Sequence, residues 1–300
     1  MSSVEVEIEG RRLSLSNLEK VLYPAAGFTK GQVIDYYTRI APFMLPHLRQ
    51  RPITLKRYPN GVGGTFFYEK QCPGHRPPWV ETVTVWSGST NRNIDFCLVN
   101  DLPALVWVAN LASLELHFSL SGAADLSCPQ SVVFDLDPGP PADIVTCCRV
   151  ALLLHEVLDH LHLECVAKTS GSKGMQVYVP LNTPASYAQT TPFANAIARL
   201  LEQQHPELVV SNMRKELRRG KVLIDWSQNN EHKTTIGVYS LRAQREPTVS
   251  TPVTWDEVAA TAASGEAAGM VFDAPTVLAR AARHGDLFAP MLTARQTLPA

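Results

Sequence analysis

The pattern of apolar and polar positions is clearest between residues 132 and 180. The apolar run Val132–Phe134 leads into Asp135-Leu136-Asp137-Pro138, which predicts a strand that ends in two carboxylates. Apolar residues then recur at helical spacing from Ala142 to His162. A loop rich in serine, glycine and lysine, residues 168–174, precedes a second apolar run at 175–180. The predicted order is strand, helix and strand, with the loop ahead of the next strand.

Similar patterns predict the remaining elements. The segment 221–225 is a short apolar strand ending in Asp225, and 233–242 is a strand with a cation at each end. Residues 30–48 form a helix, and Lys20 falls in another helix that begins after a cap at Ser16. The stretch 254–292 is alanine-rich and helical. Strands mixed with helices in this way indicate an α/β or α+β protein.

Composition limits the class of protein. The chain has 300 residues, 45% of them hydrophobic, and is long enough to bury a large core. No linker or repeat is visible, so we expect one catalytic unit of two lobes: residues 1–125, residues 126–245 with the carboxylates and the serine-rich loop, and a helical wrap over 246–300. The apolar runs are too short for a bilayer, which predicts a cytoplasmic protein without membrane contact.

The six cysteines show no zinc-type spacing and lie mostly in apolar segments. They are therefore expected to be reduced core thiols, as is usual in the cytosol.

The net charge of −1 is unusual for a protein that binds nucleic acid, but cations are concentrated between Arg214 and Arg245. The part from Arg214 to Lys221 is either a DNA-contacting loop or a solvated turn.

The carboxylates suggest a metal site. Residues i and i+2 of a strand point to one face, so Asp135 and Asp137 can present their oxygens to one point. Asp225 can complete an oxygen cluster of the kind that hard divalent cations prefer. The alternative is that these are turn-forming or solvated strand ends, because Asp-Pro-Gly-Pro is also favourable in turns.

The loop Ser170-Gly171-Ser172-Lys173-Gly174 suggests phosphate binding. Glycines let main-chain N–H groups approach an anion, hydroxyls donate hydrogen bonds, and Lys173 supplies a charge. The spacing is not that of a Walker loop, and a flexible hairpin loop is the alternative.

Taken in order, these motifs resemble the archaeo-eukaryotic primase superfamily, and within it the polymerase domain of bacterial end-joining ligase D and its stand-alone primase-polymerase relatives. The resemblance runs from about Ser14 to Asp256. It also includes the segments 110–117 (NLASLELH), 239–242 (YSLR) and 247–258 (PTVSTPVTWDEV). It implies a two-lobed primase-polymerase fold with central mixed β-sheets flanked by helices.

The resemblance also implies residue roles. The catalytic, metal-binding carboxylates are Asp135, Asp137 and Asp225, with two ions, Mn²⁺ or Mg²⁺, as cofactors. The residues expected to bind the nucleotide are Lys56, His117, Ser170, Lys173, Gln228 and Arg242. The residues expected to contact DNA are Asn17, Lys20, Lys30, Arg57, Phe66, Phe67 and Arg218, the first three at a downstream 5′-phosphate and the phenylalanines by stacking on template bases.

Two positions depart from the family pattern. Gln176 stands where the family usually has a histidine, and Phe118-Ser119 stands where a tryptophan often follows the His117 motif. Glutamine keeps hydrogen-bonding capacity but cannot titrate near neutrality.

The resulting functional hypothesis is a template-dependent polymerase that fills short gaps or breaks in DNA repair and favours ribonucleotides. The alternatives are de novo priming on single-stranded DNA and a catalytically weak protein that bridges ends or binds gaps and recruits a ligase. The expected partners are gapped or primer-template DNA and nucleoside triphosphates. A separate DNA ligase is a further expected partner, because these residues contain no KxDG motif. The expected location is the bacterial nucleoid.

Overall fold

The computed structural model describes residues 3–88 and 90–299. In chain order the strands are β1 Ser3–Ile8, β2 Arg11–Ser16, β3 Val21–Tyr23, β4 Phe28–Thr29, β5 Ile53–Arg57, β6 Phe67–Glu69, β7 Thr82–Ser87, β8 Arg92–Cys97, β9 Ser113–Ser119, β10 Ser121–Gly122, β11 Asp125–Pro129, β12 Ser131–Pro138, β13 Val166–Thr169, β14 Met175–Pro180, β15 Val209–Val210, β16 Val222–Asp225, β17 Thr234–Ile236 and β18 Pro252–Val253. The helices are α1 Lys30–Leu48, α2 Leu102–Asn110, α3 Ile144–His160, α4 Tyr187–Gln204, α5 Trp255–Ser264, α6 Ala274–His284 and α7 Pro290–Thr293.

The first of two compact units consists of the chain up to Ser119, Thr234–Val249 and Asp273–Gly285. Its main sheet has the order β17-β9-β5-β8-β7, with β6 also paired to β5. Helix α1 begins at a capping box, in which the Thr29 hydroxyl accepts from the main-chain N–H of Gln32 and the Gln32 side chain accepts from that of Thr29. It packs against α2 and α6. The Tyr37 hydroxyl donates to the Leu114 carbonyl at 2.8 Å and so ties α1 to β9.

The second unit consists of Leu120–Lys233, Ser250–Phe272 and the chain from Asp286. Its sheet has the order β15-β16-β12-β14-β13-β18 and is antiparallel except between β15 and β16. The apolar strand β12 lies between β16 and β14, and α3 and α4 pack against it. Asp143 caps α3, and its side chain accepts from the main-chain N–H groups of Val145 and Thr146. The strand that ends in two aspartates is therefore central and well supported.

The expected α+β class is confirmed. Helix α1 has the predicted bounds and α3 lies within the predicted helix. The predicted order of strand, helix, loop and strand over residues 131–180 is present, with the unpredicted strand β13 between the helix and the loop. No helix in the described part of the chain combines the length and apolar character needed to cross a membrane.

Two element predictions were wrong. Lys20 does not lie in a helix: Asn17 has a φ of 52°, and the Lys20 N–H donates to the Asn17 carbonyl in a turn. The strand predicted over 233–242 is limited to β17, because Tyr239 has a φ of 63° and the Ser240 N–H donates to the Gly237 carbonyl. Positive φ values at non-glycine residues are uncommon; asparagine is enriched among them, so Asn17 carried a weak signal, whereas Tyr239 carried none.

The prediction of six reduced cysteines was wrong for one pair. Cys72 and Cys97 form a disulfide whose Cα atoms are 5.0 Å apart. Cys97 ends β8, and the Cys72 N–H donates to the Asp95 carbonyl of the same strand at 2.6 Å, which brings the two residues together. Cys147, Cys148 and Cys165 are free and buried, as expected.

Candidate active site

The three aspartates share one face of the second unit's sheet. Asp135 on β12 lies directly opposite Asp225 on β16, and Asp137 follows two residues later on β12. Residues opposite each other on neighbouring strands point to the same side, as do residues i and i+2 of one strand. The register therefore places all three carboxylates on one face; the sequence spacing predicted this for Asp135 and Asp137.

The carboxylates influence one another electrostatically. Burial, followed by the negative charges of Asp137 and Asp225, raises the pKa of Asp135 to about 7. The Asp225 carboxylate accepts from the Ser227 N–H at 2.9 Å and from Gln228 Nε2, also at 2.9 Å. Gln228, a predicted nucleotide ligand, thus contacts a proposed metal ligand in this structure.

This face has the chemistry of a site for divalent cations. Among the residues that the structure describes, no group of three or more His, Cys, Asp or Glu side chains is already arranged to hold an ion. Burial and the neighbouring carboxylates nevertheless both disfavour the ionised form of Asp135, and a bound cation would offset both effects. Because carboxylate oxygens are the ligands that Mg²⁺ and Mn²⁺ prefer, the donor set fits such ions.

The loop 170–174 packs closely against β12. A Cβ atom added to Gly174 would lie 2.0 Å from the Leu136 carbonyl oxygen, so only glycine fits there. The Ser170 hydroxyl accepts from the N–H groups of Ser172 and Gly174, both at 3.2 Å, and the Lys173 side chain is exposed. The loop is a compact turn next to the aspartate strand, with a cation at its surface.

Arg218 lies beside the other end of the aspartate motif. It closes a short 3₁₀ helix, Lys215–Arg218, and donates from Nη2 to the Met213 carbonyl at 2.6 Å. A Cβ on Gly139 would lie 1.9 Å from the Arg218 carbonyl oxygen. The basic segment therefore packs against the Asp-Pro-Gly turn within the same unit.

In the first unit, the nucleotide-binding candidates gather around a residue that the sequence analysis did not single out. Glu115 is 1% exposed, and its carboxylate lies 3.3 Å from Lys56 Nζ, 3.4 Å from Arg242 Nε and 3.0 Å from His117 Nε2. Its Oε1 also accepts from the Ala243 N–H at 3.1 Å. Lys56 is directly opposite Glu115 on β5, and His117 is two residues along β9.

The charges of this cluster, Lys56, Glu115, His117 and Arg242, leave it net positive. Hydrogen bonding from His117 and the nearby cations lower the pKa of Glu115 to about 2, against the opposing effect of burial. Burial lowers the pKa of His117, so its imidazole is neutral at pH 7. One carboxylate therefore faces two permanent cations. The motif Glu-Leu-His at 115–117, with two polar residues on one face of a buried strand, was the available sequence signal.

The two predicted stacking residues are exposed aromatics. Phe66 and Phe67 are 47% and 42% exposed, and the Phe66 ring stacks on Tyr58 with centroids 5.3 Å apart. Lys56 Nζ lies 4.6 Å from the Phe66 ring centroid, and the Arg57 guanidinium lies 5.1 Å from that of Phe67. The aromatic surface is therefore continuous with the Glu115 cluster.

A second group of candidates lines an open cavity of about 610 Å³ in the first unit. Asn17, Lys20, Lys30 and Arg57 all contribute to its wall. Lys20 Nζ donates to Asn60 Oδ1 at 3.1 Å and Lys30 Nζ donates to the Ser16 carbonyl at 2.6 Å. Burial, followed by the charges of Lys20 and Arg57, lowers the pKa of Lys30 to about 8. Three cations around one cavity form a site suited to an anion.

Known proteins share this sequence and fold. The family model for the LigD primase-polymerase domain matches residues 29–288. The multifunctional non-homologous end joining protein LigD of Mycolicibacterium smegmatis is 44% identical over 284 residues, which are 93% of this chain and 36% of that protein. The bifunctional end joining protein LigD of Bacillus subtilis is 31% identical over 82% of this chain and 39% of its own. This chain thus spans between a third and two fifths of these relatives.

A solved structure of the polymerase domain from Mycobacterium tuberculosis ligase D, in complex with DNA, superposes with a TM-score of 0.88 at 39% sequence identity. The match covers 95% of this chain and 99% of that one. Sequence identity and fold similarity therefore both extend over nearly all of this chain, and the matched region includes the aspartate strand and the loop 170–174. The chain belongs to the LigD primase-polymerase domain family, whose members are DNA-directed nucleotidyltransferases.

Proposed function

We propose that this chain extends a primer across short gaps or breaks in DNA by two-metal nucleotidyl transfer, with a preference for ribonucleotides. The observation that carries the proposal is the placement of Asp135, Asp137 and Asp225 on one face of a buried sheet. The likeness to a polymerase domain solved with DNA supports DNA as the substrate. Such an enzyme would work at the nucleoid, in the cytoplasm.

Asp135, Asp137 and Asp225 would hold two divalent ions, Mn²⁺ or Mg²⁺. When bound, such ions stabilise the charge on the attacking and leaving oxygens of a phosphoryl transfer. The protein's own part is to fix the three carboxylates relative to one another through the register of β12 and β16. Ser227 and Gln228 hold the Asp225 carboxylate and so restrict its orientation.

Nucleotide binding is assigned to two sets of residues, one in each unit. In the second unit these are Ser170, Lys173 and Gln228, of which Lys173 supplies the charge. In the first unit they are Lys56, His117 and Arg242, which the buried Glu115 holds together as a net positive cluster suited to phosphates. Because Nε2–H of the neutral His117 imidazole donates to the Glu115 carboxylate, Nδ1 can accept a hydrogen bond from a sugar hydroxyl.

DNA binding is assigned to three surfaces. Phe66 and Phe67 would stack on template bases, which suits a sequence-tolerant enzyme because every base has a π face. The cavity lined by Asn17, Lys20, Lys30 and Arg57 would hold a 5′-phosphate. Arg218 would contact the DNA backbone. Sealing the product requires a DNA ligase activity outside these residues.

The test is extension of a primer across a short gap with Mn²⁺ and either ribo- or deoxynucleotides. We expect metal-dependent incorporation that is stronger with a 5′-phosphate on the downstream strand and stronger with ribonucleotides. Asp137→Ala should lower incorporation at least about a thousandfold while leaving gap binding, measured by fluorescence anisotropy, within about twofold.

Asp159→Ala is the matched control, because Asp159 is an exposed aspartate at the end of α3 and lies outside the site. It should extend as the unmodified protein does. Near-normal extension by Asp137→Ala would refute the metal assignment. Tight gap binding by the unmodified protein without any incorporation would instead indicate a protein that bridges ends or binds gaps.

A further inference from the structure

A row of polar side chains crosses the sheet that carries the aspartates. Asp225 lies opposite Asp135, Asp135 opposite Gln176, and Gln176 opposite Lys168, on the four adjacent strands β16, β12, β14 and β13. Directly opposed residues on neighbouring strands point to the same face. A lysine therefore stands at one end of the row and two carboxylates at the other, with a glutamine between them.

The two residues at the lysine end of this row are buried. Lys168 is 0% exposed and Gln176 is 2% exposed. Lys168 Nζ donates to Gln176 Oε1 at 2.6 Å and to Ser250 Oγ at 2.7 Å, and the Tyr178 hydroxyl donates to the same Oε1 at 3.2 Å. A buried charge is tolerated only where such partners compensate it.

The lysine determines which way the amide of Gln176 points. An ammonium group has three donors and no acceptor, so the atom of Gln176 that faces Lys168 must be its carbonyl oxygen. The amide nitrogen, which has two donors, is then turned towards the other side. There the Gln176 side chain is hydrogen-bonded to the Asp135 carboxylate. Lys168 thus acts on Asp135 in two ways, by direct electrostatic attraction and through the orientation of Gln176.

We propose that Gln176 is a positioning residue that orients the Asp135 carboxylate for a divalent cation, and that Lys168 acts by orienting Gln176. This inference rests on the proposed function and deepens its metal site. It also gives a physical reason for the glutamine. An amide accepts from a cation on one side and donates to a carboxylate on the other, which a neutral histidine can also do.

The test is Mn²⁺ binding, measured without DNA or nucleotide from the electron paramagnetic resonance signal of free Mn²⁺ at pH 8. Gln176→Leu removes both hydrogen bonds, and Lys168→Met removes the cation that orients the amide. Each is expected to weaken Mn²⁺ binding about tenfold or more, as is typical when a residue that holds a metal ligand is changed. The double variant should bind Mn²⁺ more tightly than the product of the two single losses predicts, because the orienting part of the Lys168 effect needs Gln176. The direct attraction between Lys168 and Asp135 is the part that stays additive.

Two further variants separate positioning from packing. Val177→Ala alters the next residue of β14, which is 0% exposed and points to the opposite face. It should lower the melting temperature and leave Mn²⁺ binding unchanged. Gln176→His keeps one acceptor and one donor and should restore binding to within about threefold of the unmodified protein. If Gln176→Leu does not fold, Lys168→Met and Gln176→His carry the test.

Normal Mn²⁺ binding by folded Gln176→Leu or Lys168→Met, or effects of the two that multiply in the double variant, would overturn this inference alone. Mn²⁺ binding that depends on Gln176 in a protein that incorporates no nucleotide would support it and refute the proposed function. A protein that binds no Mn²⁺ would refute both.

Discussion

At the scale of single residues, the buried carboxylate of Glu115 organises more of the candidate site than any of the residues it contacts. Lys56, His117 and Arg242 come from β5, β9 and the segment after β17, and they share no partner other than Glu115 among the ion pairs of the described residues. Glu115 holds their side chains in place, so it is a positioning residue for the proposed nucleotide site.

Glu115→Gln is expected to raise the KM for nucleotide about tenfold and to change kcat less, because the cations lose the charge that orients them. Steady-state incorporation kinetics measure this. Glu69→Gln is the matched control: it removes the ion pair of Glu69 with Arg57, 2.7 Å long, in the same sheet. An equal rise of KM in both variants would contradict the role given to Glu115.

Glu115→Gln is also expected to change how the stability of the protein depends on pH. The pKa of Glu115 is lowered from 4.5 to about 2 in the folded protein, so its ionised form contributes stability above about pH 4.5. That contribution is lost as the pH falls from about 4.5 to 2. Glu115→Gln should therefore have a lower free energy of unfolding than the unmodified protein at pH 7, by about 3 kcal/mol. Urea unfolding experiments should show that this difference narrows as the pH falls.

Asp135 has the opposite linkage. Its pKa is raised from 3.8 to about 7. In the absence of metal, the ionised carboxylate therefore destabilises the fold above about pH 7, and this loss of stability decreases as the pH falls from about 7 towards 3.8. Asp135→Asn should be more stable than the unmodified protein at pH 8 in EDTA, by at least about 1 kcal/mol, and catalytically inactive. The difference should shrink towards pH 5.

Added Mn²⁺ provides the internal check on Asp135. The ion should raise the melting temperature of the unmodified protein and have little effect on Asp135→Asn, because only a ligand that binds the folded state stabilises it. Equal stabilisation of both proteins would place the ion elsewhere.

At the scale of elements, the turn 170–174 is fixed by backbone packing. Gly174→Ala would bring a Cβ against the Leu136 carbonyl oxygen, so the loop or β12 must move. We expect a loss of about 2 kcal/mol in stability and at least a tenfold loss of incorporation. Gly63→Ala is the control, since nothing lies within 4 Å of its added Cβ. An unchanged rate in Gly174→Ala would exclude a role of this turn in catalysis.

Elements with local signals were predictable from the sequence. Thr29 and Gln32 cap α1, and the apolar spacing from Ala142 to His162 gives α3. What could not be predicted depends on contacts distant in sequence or on backbone conformation. The Lys20 turn follows from the positive φ of Asn17, and the Cys72 disulfide joins residues 25 apart with no spacing pattern.

The candidate site was predicted unevenly for a similar reason. The aspartates were predictable because each lies at the end of an apolar strand, and the common face of Asp135 and Asp137 followed from alternation along β12. That Asp225 shares this face depends on the register of β12 with β16. Glu115 was missed because a single carboxylate in an apolar strand resembles ordinary alternation. The contact of Gln176 with Lys168 depends on the β13 to β14 register, which a sequence does not display.

At the scale of the whole molecule, chain order and spatial order differ widely. Each unit is assembled from three separate stretches of chain. Within the second unit, Asp135, Gln176 and Asp225 come from segments more than forty residues apart. What aligns them is the hydrogen-bond register of β12 with β14 and β16.

A one-residue insertion between Leu223 and Ile224 should therefore abolish incorporation, because a slip of one residue turns Asp225 to the opposite face. Circular dichroism should show that the sheet is retained. The same insertion between Pro184 and Ala185, in the connection that precedes α4, should leave the rate within about threefold. Equal activity of the two insertion variants would contradict the dependence on register.

The register of the aspartate sheet has a consequence for how this protein can change over evolutionary time. Backbone hydrogen bonds, which are indifferent to side-chain identity, set the alignment of its reactive groups. Apart from the closely packed turn 170–174, the connections between the strands are then free to lengthen, shorten or diverge in sequence, whereas the strands themselves can exchange residues but cannot gain or lose one. Insertions and deletions among descendants of this chain should accumulate between β12, β14 and β16 outside the turn 170–174, and be absent within the strands.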